Sequence, residues 1–515
     1  MYTDGSITWT PAPITLVPNV FPRSSFEYAC DMQPILNKLV DRIARDRAFL
    51  LDQLSTVSES DDFTKSLVEL YKTVPEARLR EGLQCGILRS DYMINRDTRP
   101  LQVEINTIAS SFGFLSKRVS LFHQHLLQRN AGRPELGALL QETFAGTVAG
   151  SAGSVVAENV QHNPSDVQLA AALAMAHEEF GRTHGAGAGA GAVVLFIVQP
   201  GERNVADQRA FEAQLWALGV PVEFVTLKDI ALRGRLAAGT GVGVGTGTGT
   251  GAGTGSVGGM GGTGTGGVGG AGDRVLMMRP LQEGAEVPVS VAYFRAGYGP
   301  GDYPSSAEWE ARSLMEQSNA VLCPNVGYQL AGTKAVQAAL CLPGVLERFL
   351  TSQESAQLRR CFADQFSLAD ASVAAQAAAA VESAIVDGAP WVLKPQREGG
   401  GNNLYGEELS AFLRENRGQS LLKGYVLMQR IFPQPQRSAF LRVGRLEVLP
   451  SISELGVYGT YLAYGKQGAG VGEGAEGAGE GAGEGVLLNA YAGYLLRTKP
   501  DGVDEGGVAS GYSVL

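Results

Sequence analysis

Lys394-Pro395-Gln396-Arg397-Glu398-Gly399-Gly400-Gly401-Asn402-Asn403-Leu404-Tyr405 is the stretch on which the reading of this chain turns. The apolar run Trp391 to Lys394 before it predicts a strand that delivers Lys394 to its end. Three glycines then let backbone N–H groups converge on an anion with no Cβ in the way, the concavity that phosphate binding uses. Lys394 and Arg397 add positive charge. Glu398 offers a hard carboxylate to the Mg²⁺ that accompanies a nucleotide, and Asn402 and Asn403 supply amide donors. A bare Gly-Gly-Gly is a flexible turn; the full string is far more specific.

Working outward, Glu104-Ile105-Asn106 closes the run Leu101-Gln-Val103. On a strand, residues i and i+2 point to one face, so both oxygen side chains reach the same cation while Ile105 packs behind. Taken alone this is ordinary alternation; beside Glu398 it completes a carboxylate-rich Mg²⁺ site.

The remaining chain gives these two stretches a mixed α/β body. Val193 to Val198, Val222 to Thr226 and Val289 to Phe294 are β-branched runs, and Gln208 to Leu218 between the first two is helical, the pattern of a parallel βαβ unit. A second α+β unit carries strands at Trp391 to Lys394, Tyr425 to Met428, Val457 to Tyr464 and Val486 to Leu488, after an alanine-rich helix from Ala374 to Ile385. Near the N-terminus, Phe26, Cys30, Leu36, Leu39, Ile43 and Leu50 have helical spacing, and Phe63 to Tyr71 continues it after Asp61-Asp62. At 515 residues the chain holds about three domains. The expected division is 1–190, with a helical part and Arg89, Glu104 and Asn106; 191–330, the substrate-binding α/β part; and 331–515, the nucleotide-binding part.

Glycine is abundant, 68 residues, because of three tracts: Gly185 to Gly191, Gly239 to Gly272 and Gly468 to Gly485. They lack the period of three that collagen needs and the apolar surface that offsets ordering, so they read as surface loops. Gly253-Thr-Gly255-Ser-Val-Gly258 matches a dinucleotide fingerprint, but inside such a tract it is a chance match. The P-loop, zincin and nucleophile-elbow motifs are missing from the sequence.

A net charge of −10, from 42 Lys+Arg against 52 Asp+Glu, argues against a nucleic-acid or anionic-membrane partner. Five dispersed cysteines with no Cys-x-x-Cys suit a reducing compartment. His123-Gln-His125 has no ligand cluster beside it and reads as a solvated helix end. No apolar run approaches the ~20 residues of a membrane helix, so a soluble chain is expected.

Arg89-Ser-Asp-Tyr-Met93, Glu104-Ile-Asn-Thr107, Glu202-Arg-Asn204, Asp207-Gln-Arg-Ala210, Tyr293-Phe-Arg295, Gln329-Leu-Ala-Gly-Thr-Lys334, the Lys394 to Glu408 string, Ile452-Ser-Glu-Leu-Gly456 and Leu496-Arg-Thr-Lys499 together resemble eukaryotic glutathione synthetases. The resemblance runs in order from about Ile14 to Val514. It implies an ATP-grasp fold, a homodimer, and an ATP- and Mg²⁺-dependent ligation of γ-glutamylcysteine to glycine in the cytoplasm, or also in a plastid if an N-terminal extension precedes.

By residue, the resemblance implies that Glu104, Asn106 and Glu398 hold Mg²⁺. ATP would meet Lys334, Lys394, Glu398, Gly399, Gly400, Gly401, Asn402, Asn403, Tyr405, Met428, Gln429, Arg430, Ile431, Glu454 and Lys499. The peptide site would take Arg89, Ile108, Ala109, Ser110, Ser111, Glu202, Arg203, Asn204, Gln208, Arg295, Ala296, Gly297, Tyr298, Arg497, Val508 and Ala509, with Arg89, Lys334, Lys394 and Arg497 closest to the chemistry. Guanidinium groups suit a substrate with several carboxylates because each presents a planar, bidentate fork. The hinge reads Met428-Gln-Arg-Ile431 where the family pattern leads us to expect Met-Glu-Lys-Ile. Two alternatives remain: a homoglutathione-type ligase using β-alanine, and a nucleotide-binding scaffold without activity.

Overall fold

The computed structural model describes residues 2–3, 6–7, 13–144, 155–189, 191–202, 204–238, 274–281, 284–397, 401–442, 444–465, 485–504 and 514–515. The parallel unit is present. Val222–Val225, Val193–Ile197, Val287–Phe294 and Val321–Cys323 are successive parallel neighbours, with the helix Val205–Ala217 crossing between the first pair. Two strands that the sequence reading missed, Gly234–Ala238 and Arg274–Met278, extend this sheet as an antiparallel pair. Ala238 faces Arg274 in that ladder, so residues 239–273 are the connection of a hairpin. The tract after Tyr464 is inserted in the same way, because Tyr464 pairs with Gly485.

A four-stranded antiparallel sheet, ordered Gln365–Ser367, Tyr425–Gln429, Trp391–Pro395, Leu404–Tyr405, carries Lys394. The largest ladder belongs to a third sheet, made of strands from both ends of the chain. Its order is Ile14–Thr15, Gln436–Arg442, Arg445–Tyr464, Gln84–Ile94, Pro100–Asn106, and Gly485–Pro500 pairs the other edge of Arg445–Tyr464. The expected strands at Val457 and Val486 are thus ends of much longer ones.

The helix Arg23–Arg45 packs against this sheet with Leu36, Leu39, Val40 and Ile43 fully buried. Asp61 caps the next amphipathic helix, Asp62–Thr73, accepting from Thr64 N at 2.8 Å. Two expectations need correction. The helix Ser165–Gly189 runs through most of the first glycine tract. Its alanines have the highest helix propensity, and extending an existing helix avoids the cost of nucleation. His123 lies inside the helix Gly113–Arg129, buried and hydrogen bonded to Thr15 O at 2.8 Å, because one face of that helix packs inward. Among the described residues no helix is long and apolar enough to cross a membrane.

Candidate active site

Alternation along four neighbouring strands builds the floor of the site. Arg89 and Asp91 sit two apart on Gln84–Ile94, opposite Asn106 and Glu104, their cross-strand partners on Pro100–Asn106. On the other side, Asp91 faces Gly456 and Arg89 faces Tyr458; one strand further, Arg497 faces Glu454 and Lys499 faces Ile452. Because side chains two apart share a face, all these groups project from one side of the sheet. The four-stranded sheet closes over them with Lys394, Tyr405 and Met428. Between the two sheets lies a cleft of about 250 Å³, lined among others by Arg89, Glu104, Asn106, Lys394, Asn403, Glu454, Arg497, Lys499 and the run Met428 to Ile431.

Several charges in the cleft pair with one another. Asp91 is fully buried and accepts from Arg89 Nε at 2.7 Å, Arg89 Nη2 at 2.9 Å, Asn106 Nδ2 at 3.0 Å and Arg497 Nη2 at 3.0 Å. It orients Arg89, Arg497 and the Asn106 amide, a role that the sequence alone does not reveal. The local signal was only an acid two residues from an arginine. Arg497 also reaches Glu454. Lys334 Nζ lies 3.0 Å from Glu104 Oε2, and Lys394 Nζ donates to Val103 O at 2.9 Å. Burial alone would raise the Glu104 carboxyl, but Lys334 and Lys394 outweigh it and hold the group well below its ordinary 4.5. Glu454 goes the other way: burial raises it, and Asp91 and Glu104 add to the rise against Arg497.

The ionised Glu104 and the Asn106 amide, projecting from one strand into the cleft, are hard oxygen donors that fit Mg²⁺. Among the described residues there is no group of three His, Cys, Asp or Glu side chains that could hold a metal. The third ligand named from sequence, Glu398, lies outside the described residues, as do Gly399, Gly400, Arg203, Val508 and Ala509. Gly401 and Asn402 are described and exposed. Arg397, the second cation of the string, pairs with Asp61, the helix cap, at 2.5 Å.

A second group of named residues meets at Ser111. Its carbonyl accepts from Tyr458 OH at 2.5 Å and Arg89 Nη1 at 3.5 Å, and its hydroxyl from Arg295 Nη2 at 2.9 Å. Asp207, for which the sequence implies no role, fixes this junction. Its carboxylate accepts from the N–H groups of Phe112, Phe114 and Leu115 at 3.0 to 3.2 Å, capping the helix Gly113–Arg129, and pairs with Arg295 at 3.2 Å. The loop it grips is strained, with Ala109 at φ 53° and Phe112 at φ 74°. Glu202 accepts from Asn204 N and Gln208 Nε2, both at 2.7 Å. Gly297 and Tyr298 share the Asp302 carboxylate through their N–H groups. Among the described residues, Asn204 Nδ2, Arg295 Nε and Arg497 Nε are buried without a hydrogen-bond partner, which suits donors to a ligand. Ile108 and Ala296 are buried, and Ile108 is part of the core, which leaves its backbone alone for a substrate. Ser110 turns its hydroxyl to Asn106 O at 3.4 Å.

Residues 2–515 match the family described as eukaryotic glutathione synthase, ATP binding domain. The chain is 38% identical over 509 residues to the chloroplastic glutathione synthetase of Solanum lycopersicum, spanning 98% of this chain and 77% of that protein. To the glutathione synthetase of Homo sapiens it is 35% identical over 511 residues, 98% of this chain and 89% of the other. A glutathione synthetase-like effector from Globodera pallida, solved in its apo form, shares the fold with a TM-score of 0.64 over 97% of this chain and 90% of that one, at 18% identity.

Proposed function

The chain belongs to the eukaryotic glutathione synthetase family, with its ATP-grasp fold, and from that premise we propose that it ligates γ-glutamylcysteine to glycine, driven by ATP, with ADP and phosphate as the other products. The observation that carries this reading is the single sheet face on which Arg89, Glu104, Asn106, Glu454, Arg497 and Lys499 converge, opposite Lys394. A carboxylate and a polyphosphate, both anionic, must be brought into contact there, and the cleft offers buried cations for both.

The cysteinyl carboxylate attacks the γ-phosphorus of ATP, ADP leaves, and an acyl phosphate forms. The glycine nitrogen then adds to the acyl carbon, phosphate departs, and the amine proton is lost. No nucleophilic side chain is needed; the chain contributes orientation and charge neutralisation. Lys334, Lys394 and Lys499 balance the phosphates, with Asn402, Asn403, Tyr405 and the run Met428 to Ile431 around the rest of the nucleotide. Arg89 and Arg497, held by Asp91, align the reacting carboxylate. Ser111, Asn204, Gln208, Arg295 and Tyr298 hold the remainder of the peptide. When bound between Glu104, Asn106 and Glu398, Mg²⁺ supplies further positive charge to the phosphates.

ADP release by the purified chain with γ-glutamylcysteine, with and without glycine, tests the reading. ATP turnover that needs the dipeptide and yields glutathione only when glycine is added is the expected result. Turnover indifferent to the dipeptide would sink it. Competing glycine against β-alanine decides the acceptor: a pocket shaped for glycine disfavours one extra methylene by about 10- to 200-fold in kcat/KM. Equal values would point to the homoglutathione-type reaction instead.

A further inference from the structure

The two sheets that wall the cleft are also joined by an ion pair. Arg430, just past the strand Tyr425–Gln429 of one sheet, pairs with Asp504, in the turn that follows Gly485–Pro500 of the other, with Nη2 and Oδ1 2.5 Å apart. Both residues line the cleft. Neither end of the pair is loose. The Arg430 N–H donates to Pro390 O at 2.8 Å, and its guanidinium lies 5.2 Å from the Tyr405 ring centroid and 5.6 Å from that of Phe432. The turn carrying Asp504 is pinned by Asp501 N to Pro450 O at 2.9 Å and by Lys499 Nζ to Asp504 O at 2.6 Å. A lysine named for the nucleotide thus also fastens the segment that meets the opposite wall.

We propose that Arg430 and Asp504 form a clasp across the nucleotide cleft, a positioning pair that holds the two walls around a bound adenine nucleotide and slows its departure. The inference rests on the function proposed above. A nucleotide that leaves by separation of the walls must break this pair, because its two ends belong to opposite sheets. The side chains are 29% and 43% exposed, so water and salt screen the attraction. A pair in that setting changes an equilibrium constant by a factor of about two to five, enough to bias closure and weak enough to break in every turnover. With its charge balanced by Asp504, Arg430 offers the site a neutralised guanidinium plane, and that separates the clasp from direct phosphate binding by the same arginine.

Dissociation of ADP in the presence of Mg²⁺, followed by stopped flow, tests this on the full chain. The proteins compared are the wild type, Asp504→Asn, Arg430→Gln, the double variant, and the exchange Arg430→Asp with Asp504→Arg. Each single change is expected to speed ADP release about two- to fivefold, the double change no further, and the exchange to recover part of the loss, while KM for γ-glutamylcysteine stays within about twofold. Raising the salt from about 50 to about 500 mM should speed release more from the wild type than from Asp504→Asn. Release unchanged in Asp504→Asn, or single effects that simply add, overturns the clasp and leaves Arg430 as an independent ligand or a bystander. A wild-type chain that binds no ADP overturns the clasp and the proposed function together.

Discussion

Asp91 and Arg497 stand on strands that do not pair with each other, yet Arg497 Nη2 donates to Asp91 Oδ2 at 3.0 Å across the strand between them. Gly456, directly opposite Asp91 on that middle strand, leaves the necessary gap: a Cβ there would come within 2.8 Å of both Arg89 Cδ and Asp91 Oδ1. Asp91→Asn should therefore cost about 3 to 5 kcal/mol of stability, since the buried Arg89 guanidinium loses its paired carboxylate and Arg497 keeps only Glu454. Its kcat/KM for the dipeptide should fall about a hundredfold or more. Gly456→Ala should show the same pattern about tenfold more mildly. Denaturant titration and steady-state kinetics measure both, and variants within threefold of the wild type would remove Asp91 from the site.

Glu104 offers a pH-dependent test. Its folded pKa lies below the ordinary 4.5 because Lys334 and Lys394 outweigh its burial. Such a group contributes stability that is fully present above the unfolded value and is lost as pH falls through the folded one. Glu104→Gln should accordingly be less stable than the wild type at pH 7, and the gap should narrow as pH drops below about 4.5. At neutral pH the same variant should need about tenfold or more Mg²⁺ for half-maximal turnover. An unchanged Mg²⁺ requirement would argue that the carboxylate serves only Lys334.

Replacing residues 239–273 by Asn-Gly should leave turnover intact, because Ala238 and Arg274 are cross-strand partners and a two-residue turn spans such a pair. Loop closure changes by about 0.6 kcal/mol per doubling of length, so stability should rise by a few kcal/mol at most. Thermal unfolding with an activity assay checks this. A folded but inactive deletion would make the tract part of the catalytic cycle.

What could be read from sequence was local. Glu104-Ile-Asn106 is a pair two apart on a strand, and that period shows in the letters themselves, whereas Arg497 and Lys499 were legible only through the family resemblance. The junction at Asp91 was hidden because it depends on Gln84–Ile94 lying beside Arg445–Tyr464, a pairing across more than half the chain. Asp207 was hidden for the same reason, since the helix it caps is formed by a distant segment. The hairpin strands flanking 239–273 were obscured by composition. Gly234 to Ala238 is too small and polar to look like a strand until Arg274–Met278 pairs with it.

The cysteines give the last test. Burial pushes the Cys341 thiol up to about 11 and those of Cys30 and Cys361 to about 12, and it raises Cys323 well above its ordinary value. The thiolate is the reactive form, so at pH 7.5 a thiol titrating near 11 is about one part in several thousand thiolate, and its modification gains about tenfold per pH unit up to that value. All five cysteines are free, and Cys85, Cys323 and Cys361 are buried. An aromatic disulfide reagent should therefore label the native chain slowly, leave turnover unchanged on the scale of minutes, and react with all five thiols once guanidinium unfolds the protein. Activity that disappeared in step with the labelling of a single native thiol would mean that a cysteine governs the cleft, and the thiols would then be regulatory groups and not packing.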